Sequence, residues 1–258
     1  MKLWKWAVAF SLGAMLVACG GGESSATLPS AQELCSSAGA TAKVYNGAEC
    51  TELEGTPVVR LSISRADGNY SCTGTVIAPT SVLTAGHCLE GATSVVVTAY
   101  IGSQGYLYPA RSWSVHPDFA EAGNGAIRYD AAVLTTRKTL PNPPMALLTS
   151  SATSAGQSVF IAGWGAPTYT LTVGAAEIDS VGDVTVSFKY DGQLSDTCVG
   201  DSGGPMYRVL NGKAGVVGIT SYGLVSSCGG NGQSVYANTQ NASILSFIRS
   251  KAPAASIM

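Results

Sequence analysis

The ten residues from Asp196 to Pro205, reading Asp-Thr-Cys-Val-Gly-Asp-Ser-Gly-Gly-Pro, admit very few backbone paths. Three glycines and a proline in so short a stretch demand a tight turn, and they remove the side chains that would otherwise cover Ser202. A curl at Gly200 and Asp201 aims the amides of Gly200 and Ser202 at one point, which suits the negative oxygen of an acyl-transfer intermediate. The same residues are also ordinary turn chemistry, so the chemical reading depends on what the rest of the chain supplies.

A serine hydroxyl needs a base near neutral pH, and the chain has only two histidines, His87 and His116. His87 follows Leu-Thr-Ala-Gly and precedes Cys88, which can fix its backbone. His116, in Val-His-Pro-Asp, has a surface-turn composition and reads as a solvated or structural residue. A third group must orient the base. Asp130 opens the apolar run Ala-Ala-Val-Leu, and a carboxylate at the mouth of a buried strand is expensive unless partnered.

With His87, Asp130 and Ser202 in that chain order, the sequence resembles the chymotrypsin/trypsin family of serine endopeptidases. Five segments carry the likeness: Leu-Thr-Ala-Gly-His-Cys at 83–88, Asp-Ala-Ala-Val-Leu from 130, Ala-Gly-Trp-Gly at 162–165, Gly-Asp-Ser-Gly-Gly-Pro at 200–205 and Gly-Ile-Thr-Ser-Tyr-Gly at 218–223. The resemblance covers most of the chain from Val44 onward. It implies an all-β fold of two antiparallel six-stranded barrels with the active site between them, the first over about 44–148 and the second over about 149–258.

Other features set the cellular context. A formal net charge of −2, with 12 % charged residues and no basic stripe, excludes a polyanion-binding surface and points to no nucleic-acid partner. Residues 1–18 read as a signal segment: Lys2 and Lys5, then an apolar core over 6–17 too short for a comfortable span. Leu-Val-Ala-Cys at 16–19 resembles the lipobox of bacterial lipoproteins, with Cys19 as the lipidated residue and a membrane anchor as its consequence. The alternative is an ordinary signal peptide cut nearby, which would leave the protein periplasmic or secreted. Gly20 resembles outer-membrane sorting, and 19–43 forms a linker and activation segment ahead of a protease domain over 44–258.

Setting Cys19 aside leaves six cysteines, and in an exported protein six suggest three disulfides. The family pattern implies Cys72 with Cys88 and Cys198 with Cys228, and the two left over, Cys35 and Cys50, would pair. The cysteines lack the close paired spacing of a metal site. Lys43-Val44-Tyr-Asn-Gly resembles the activation junction of the family, where a cut after the basic residue frees an ammonium that pairs with the acid before the nucleophile, here Asp201. Lys43-Val44 can also be read simply as the lead into the first strand.

Short apolar stretches at 58–64, 74–77, 94–101, 131–135, 158–163, 183–190, 214–221 and 234–237 read as strands, with a crossing between barrels over 147–156. Only 31 residues separate Trp164 from Asp196, so the second barrel is expected to be trimmed. The family's calcium loop would fall at 95–108, which has no acidic residue, so no calcium site of that type is expected. Residues 239–249 carry helix-spaced apolar positions with Asn241 as cap.

By resemblance, Asp196 would lie at the floor of a pocket selecting lysine or arginine, with Ser221 and Gly223 along its wall. Ser234 stands where trypsin-like members have glycine, and its hydroxymethyl group is expected to narrow the pocket. The reading is therefore a monomeric serine endopeptidase acting on protein or peptide substrates through His87, Asp130 and Ser202, with no metal or organic cofactor. The alternative is a catalytically silent surface binding protein that keeps the fold.

Overall fold

Alternation of side chains builds the first strands. In β1 (Val58–Arg65), Leu61 and Ile63 are buried while Ser62 between them is exposed; in β4 (Ala92–Ile101), Val95, Val97 and Ala99 face inward in the same way. Each strand buries one apolar face, so the stable solution is a sheet closed on itself around that face. The computed structural model describes residues 35–36, 48–51, 53–190, 192, 194–224, 228–230 and 232–258.

Four more strands complete the first unit: β2 (Gly68–Ala78), β3 (Ser81–Thr84), β5 (Gln104–Val115) and β6 (Ala132–Thr136). They close in the order β1-β2-β3-β6-β5-β4, antiparallel throughout, with β4 returning to β1. The second unit also has six long strands: β7 (Ser158–Gly163), β8 (Thr172–Glu177), β9 (Thr185–Lys189), β10 (Pro205–Leu210), β11 (Lys213–Gly223) and β12 (Gln233–Asn238). These run β8-β7-β10-β11-β12-β9; Ala48–Glu49 extends the sheet at β8 and Ser180–Val181 at β9. Among the described residues no ladder joins β8 to β9. The fold is the expected all-β one, with a short C-terminal helix.

The stretches 81–84, 104–115, 172–177 and 205–210 are strands that the sequence reading did not single out. Gly105 and Pro109 interrupt β5, Gly174 interrupts β8, and Pro205 opens β10, so local propensity argues against these three; ladder partners on both sides override it. The expected helix forms as α2 (Ala242–Lys251), and the side chain of Asn241 accepts from Ser243 N and Ile244 N as its cap.

One core cluster runs through both units, and a second, smaller one lies within the second. Trp164 donates from Nε1 to the carbonyl of Val58 at 3.3 Å and stacks on Tyr100 with centroids 4.9 Å apart, linking the first barrel to the end of β7. His116 is not at the surface, in spite of its turn-like neighbours: it is 3 % exposed, between Tyr129 and Phe247 with centroids 5.0 Å away on each side. Its Nδ1 accepts from Asp118 N at 3.1 Å and Nε2 meets Ser243 Oγ at 3.2 Å, so it joins α2 to the first barrel. All three expected disulfides are present: Cys35–Cys50, Cys72–Cys88 and Cys198–Cys228. Three disulfides suit an oxidising, extracellular or exported environment.

Candidate active site

His87 lies on a single helical turn, α1 (Gly86–Leu89), pinned by the Cys72–Cys88 disulfide. Gly86 lets this turn come close to the acid: a Cβ there would meet the Phe119 ring at 2.8 Å and Asp130 Oδ1 at 3.1 Å. The carboxylate of Asp130, 1 % exposed just before β6, accepts from His87 N through Oδ1 at 2.8 Å and pairs with His87 Nδ1 through Oδ2 at 2.8 Å. Ser221 Oγ, from β11 in the second unit, donates to the same Oδ2 at 2.5 Å. Burial pushes the Asp130 carboxyl up, but the hydrogen bonds and charge of His87, with the Ser221 hydroxyl, outweigh it and hold the group below its ordinary value. An ionised carboxylate only accepts, so in the neutral ring the His87 proton sits on Nδ1 and Nε2 is the acceptor nitrogen. Arg65 supports the turn from outside, its guanidinium donating to the carbonyls of His87 and Cys88.

Ser202 sits half-buried in the turn leading to β10. Gly200 has φ 102°, a conformation that side chains rarely adopt. The amides of Gly200 and Ser202 have no hydrogen-bond partner among the described residues, whereas those around them do: Asp201 N donates to Cys198 O, Gly203 N to Thr220 O and Gly204 N to Asp201 O. Two free donors one residue apart beside a serine hydroxyl form a place where an anionic oxygen can be held.

Asp201 occupies a niche cut by the Ala-Gly-Trp-Gly segment. A Cβ on Gly163 would lie 2.1 Å from its Oδ1 and one on Gly165 2.6 Å away, so both positions must be glycine for the carboxyl to fit. Oδ1 accepts from Gly165 N at 2.8 Å and Oδ2 from Cys198 N at 2.9 Å, and no described cation pairs with it. Burial, together with the nearby charge of Asp196, pushes this carboxyl up to about 6 against the pull of its two amide donors.

A cavity of about 180 Å³ opens beside Ser202, lined by Asp196, Val199, Ser221, Gly223 and Ser234 among others. Asp196 accepts from Thr197 N and Ser234 Oγ at 2.8 Å each, and from Gly229 N at 3.2 Å. Ser234 was expected only to narrow the pocket. It also spends its one proton on Asp196, accepting in turn from Thr197 Oγ1 at 2.9 Å, so it anchors the acid. Ser221 likewise lines the cavity and in addition serves Asp130, a role that sequence reasoning missed because nothing local to residue 221 points to residue 130.

Lys43, Val44 and Cys19 lie outside the described residues. Among the described residues, three possible metal-ligand atoms gather at Cys72, His87 and Cys88, but the two sulfurs are bonded to each other and offer no thiolate.

The raised Asp201 pKa has a direct consequence for stability. A carboxyl whose folded pKa lies above its unfolded value binds more protons folded than unfolded between the two, so stability falls as pH rises through about 4 to 6, by about 3 kcal/mol from this group. With the Lys43–Val44 bond intact, urea unfolding of Asp201→Asn against the unmodified chain should show a stability difference that grows in the mutant's favour across that window. A difference constant with pH would show that Asp201 is not an uncompensated buried acid.

A family profile described as Trypsin matches residues 44–248. The chain is 30 % identical over 188 residues to "Trypsin" of Saccharopolyspora erythraea, spanning 61 % of this chain and 77 % of that one. It is also 30 % identical over 213 residues to "Glucanase inhibitor protein 1" of Phytophthora infestans, covering 69 % and 78 % of the two chains. Among solved structures, HL collagenase superposes with TM-score 0.67 at 22 % identity, covering 81 % of this chain and 99 % of that one, which is a likeness of fold. With the profile spanning most of its length and the fold in agreement, this chain belongs to the trypsin family.

Proposed function

We propose that this chain is a serine endopeptidase that hydrolyses peptide bonds through an acyl-enzyme. The observation that carries the reading is the double grip of Asp130 on His87, through Oδ1 to the backbone and Oδ2 to Nδ1, which makes Nε2 the acceptor nitrogen of the neutral ring. In the proposed mechanism Nε2 takes the Ser202 proton as Oγ bonds to the substrate carbonyl carbon, and the carbonyl electron pair moves onto oxygen between the Gly200 and Ser202 amides. The imidazolium, stabilised by Asp130, then gives its proton to the departing amine. Water repeats the sequence on the acyl ester, returning Ser202 and releasing the acid.

Asp196 supports a preference for lysine or arginine. Its carboxylate lines the cavity beside Ser202 and keeps accepting capacity beyond its three donors, so a substrate cation would find a fixed counter-charge. Ser221 and Gly223 line the wall along which the substrate backbone would run, and Ser234 steadies the acid.

The activation reading rests on Asp201. A buried carboxyl raised to about 6 by desolvation gains most from a buried cation, and the ammonium freed by a cut after Lys43 would supply one at Val44. The Cys35–Cys50 disulfide would keep the segment before the cut attached to the protease. If Cys19 is lipidated, the active enzyme would stay on the outer membrane or cell surface.

A second reading is favoured by one observation, the relative named Glucanase inhibitor protein 1: a chain of this family can carry the name of a binding protein. Labelling decides between them. The cut protein should react with a serine-directed phosphonate at Ser202; Ser202→Ala should lower turnover by several orders of magnitude, and adding His87→Ala should cost little more, because the residues act as a unit. Absence of labelling in cut, folded protein would favour the silent binding protein.

Specificity is tested at Asp196. Asp196→Ser should move preference from arginyl toward apolar or aromatic peptides, with a loss on basic substrates of about 3 to 5 kcal/mol in transition-state terms. An unchanged arginyl-to-phenylalanyl ratio would remove Asp196 from the specificity site.

Activation is tested on membranes carrying the protein. Sequencing of the active species should find a Val44 N-terminus, non-reducing gels should show one species that splits on reduction, and reductant should free activity into the supernatant. Activity that begins at another residue, or stays membrane-bound after reduction, would overturn this route.

A further inference from the structure

Thr73 belongs to β2 of the first barrel, yet most of its polar contacts go to the second unit. It is fully buried. Its backbone amide donates to Ser202 O at 2.8 Å, its hydroxyl donates to Gly200 O at 2.8 Å, and the same hydroxyl accepts from Trp164 N at 2.9 Å. Its own carbonyl is held by Thr84 Oγ1 at 2.8 Å. The polarity of this chain of bonds is fixed by chemistry: Trp164 N can only donate and Gly200 O can only accept, so the single hydroxyl proton must point at Gly200.

That proton reaches a sensitive place. The peptide between Gly200 and Asp201 lies between the two amides of the proposed oxyanion site. Its oxygen end is held by the Thr73 hydroxyl and its N–H end by Cys198 O at 3.0 Å. Gly200 has no side chain to restrain rotation, and at φ 102° its neighbours must do so. Release of the oxygen end leaves this peptide held at one end only, so rotation about the two backbone bonds of Gly200 loosens and the N–H on its other side spreads in direction, whereas Ser202 stays pinned through its own carbonyl. The effect falls on an interaction that matters most when charge develops on the substrate oxygen.

We propose that Thr73 is a positioning residue for the oxyanion-binding amides, acting through its hydroxyl on the Gly200 carbonyl. The proposal rests on the serine endopeptidase reading and deepens it. The test compares two ligands of one peptide sequence. A peptide aldehyde is attacked by Ser202 Oγ: a C–O bond forms, the carbonyl pair moves onto oxygen, and the Ser202 proton passes to His87, so an oxyanion is formed at the site. The corresponding peptide amide binds without that step and reads the pocket alone.

In Thr73→Val, which keeps the shape and removes the hydroxyl, aldehyde affinity should fall about 10-fold more than amide affinity. That is less than the roughly 10²- to 10³-fold lost when an oxyanion donor is itself deleted, because Thr73 acts at one remove. Turnover should show the same split, kcat falling about 10-fold with KM within about twofold, and Thr73→Ser should restore both measures to within about twofold of the unmodified protein. Equal weakening of the two ligands, or a serine variant that behaves like the valine one, would make Thr73 a purely structural residue and overturn the proposal. Should Thr73→Val not fold, Thr73→Ala against Thr73→Ser carries the same comparison with the same expected split. Unmodified, cut protein that shows neither turnover nor preference for the aldehyde would overturn the endopeptidase reading and this inference with it; aldehyde preference that persists unchanged in the valine variant would overturn this inference alone.

Discussion

The carboxylate of Asp130 is the point on which the two halves of the molecule agree. It is buried, charged and satisfied by donors from both sides, His87 N and Nδ1 from the first barrel and Ser221 Oγ from the second. An uncompensated charge at that depth costs several kcal/mol, so the fold is stable only when the first barrel and the second sheet meet in a register that brings all three donors to one group. The same register sets the imidazole relative to the Ser202 loop. Structure and chemistry here answer to one electrostatic requirement.

Asp201 shows the opposite solution to the same problem. It is also a buried carboxyl, but its donors are two backbone amides and its neighbour is another acid, and its pKa rises while that of Asp130 falls. Two groups of identical chemistry are thereby pushed apart by environment alone. The one in contact with imidazole stays anionic near neutrality; the one in the glycine niche is strained toward the neutral form and is sensitive to any cation that reaches it.

Much of this was legible in the sequence because the determinants are local. The turn at 196–205 needs its glycines whatever surrounds it, and the niche around Asp201 explains in physical terms why Ala162-Gly-Trp-Gly165 reads as a signature. The capped helix beginning at Ala242 was similarly visible, whereas the cysteine pairs came from the family resemblance. What escaped is long-range. Strand β5 holds Gly105 and Pro109 and is a strand only because β4 and β6 flank it. Ser221 and Asp130 are 91 positions apart, as are Thr73 and Trp164, and no pattern within a window of ordinary length links them. Ser234 was seen as bulk where it acts as a donor, because direction is a property of the folded neighbourhood.

The C-terminal helix α2 follows the second sheet in sequence but is fastened to both halves. Asn241 Nδ2 holds Asp183 in the second, while Phe247 and Ser243 grip His116 in the first. It therefore acts as a strap across the seam. Parting the two halves would mean peeling away this ten-residue helix, which adds the loss of its contacts to the cost of any opening that exposes inner peptide bonds. Under the proposed endopeptidase function that coupling would be self-protection: neighbouring copies of the chain would meet a substrate with its internal bonds out of reach.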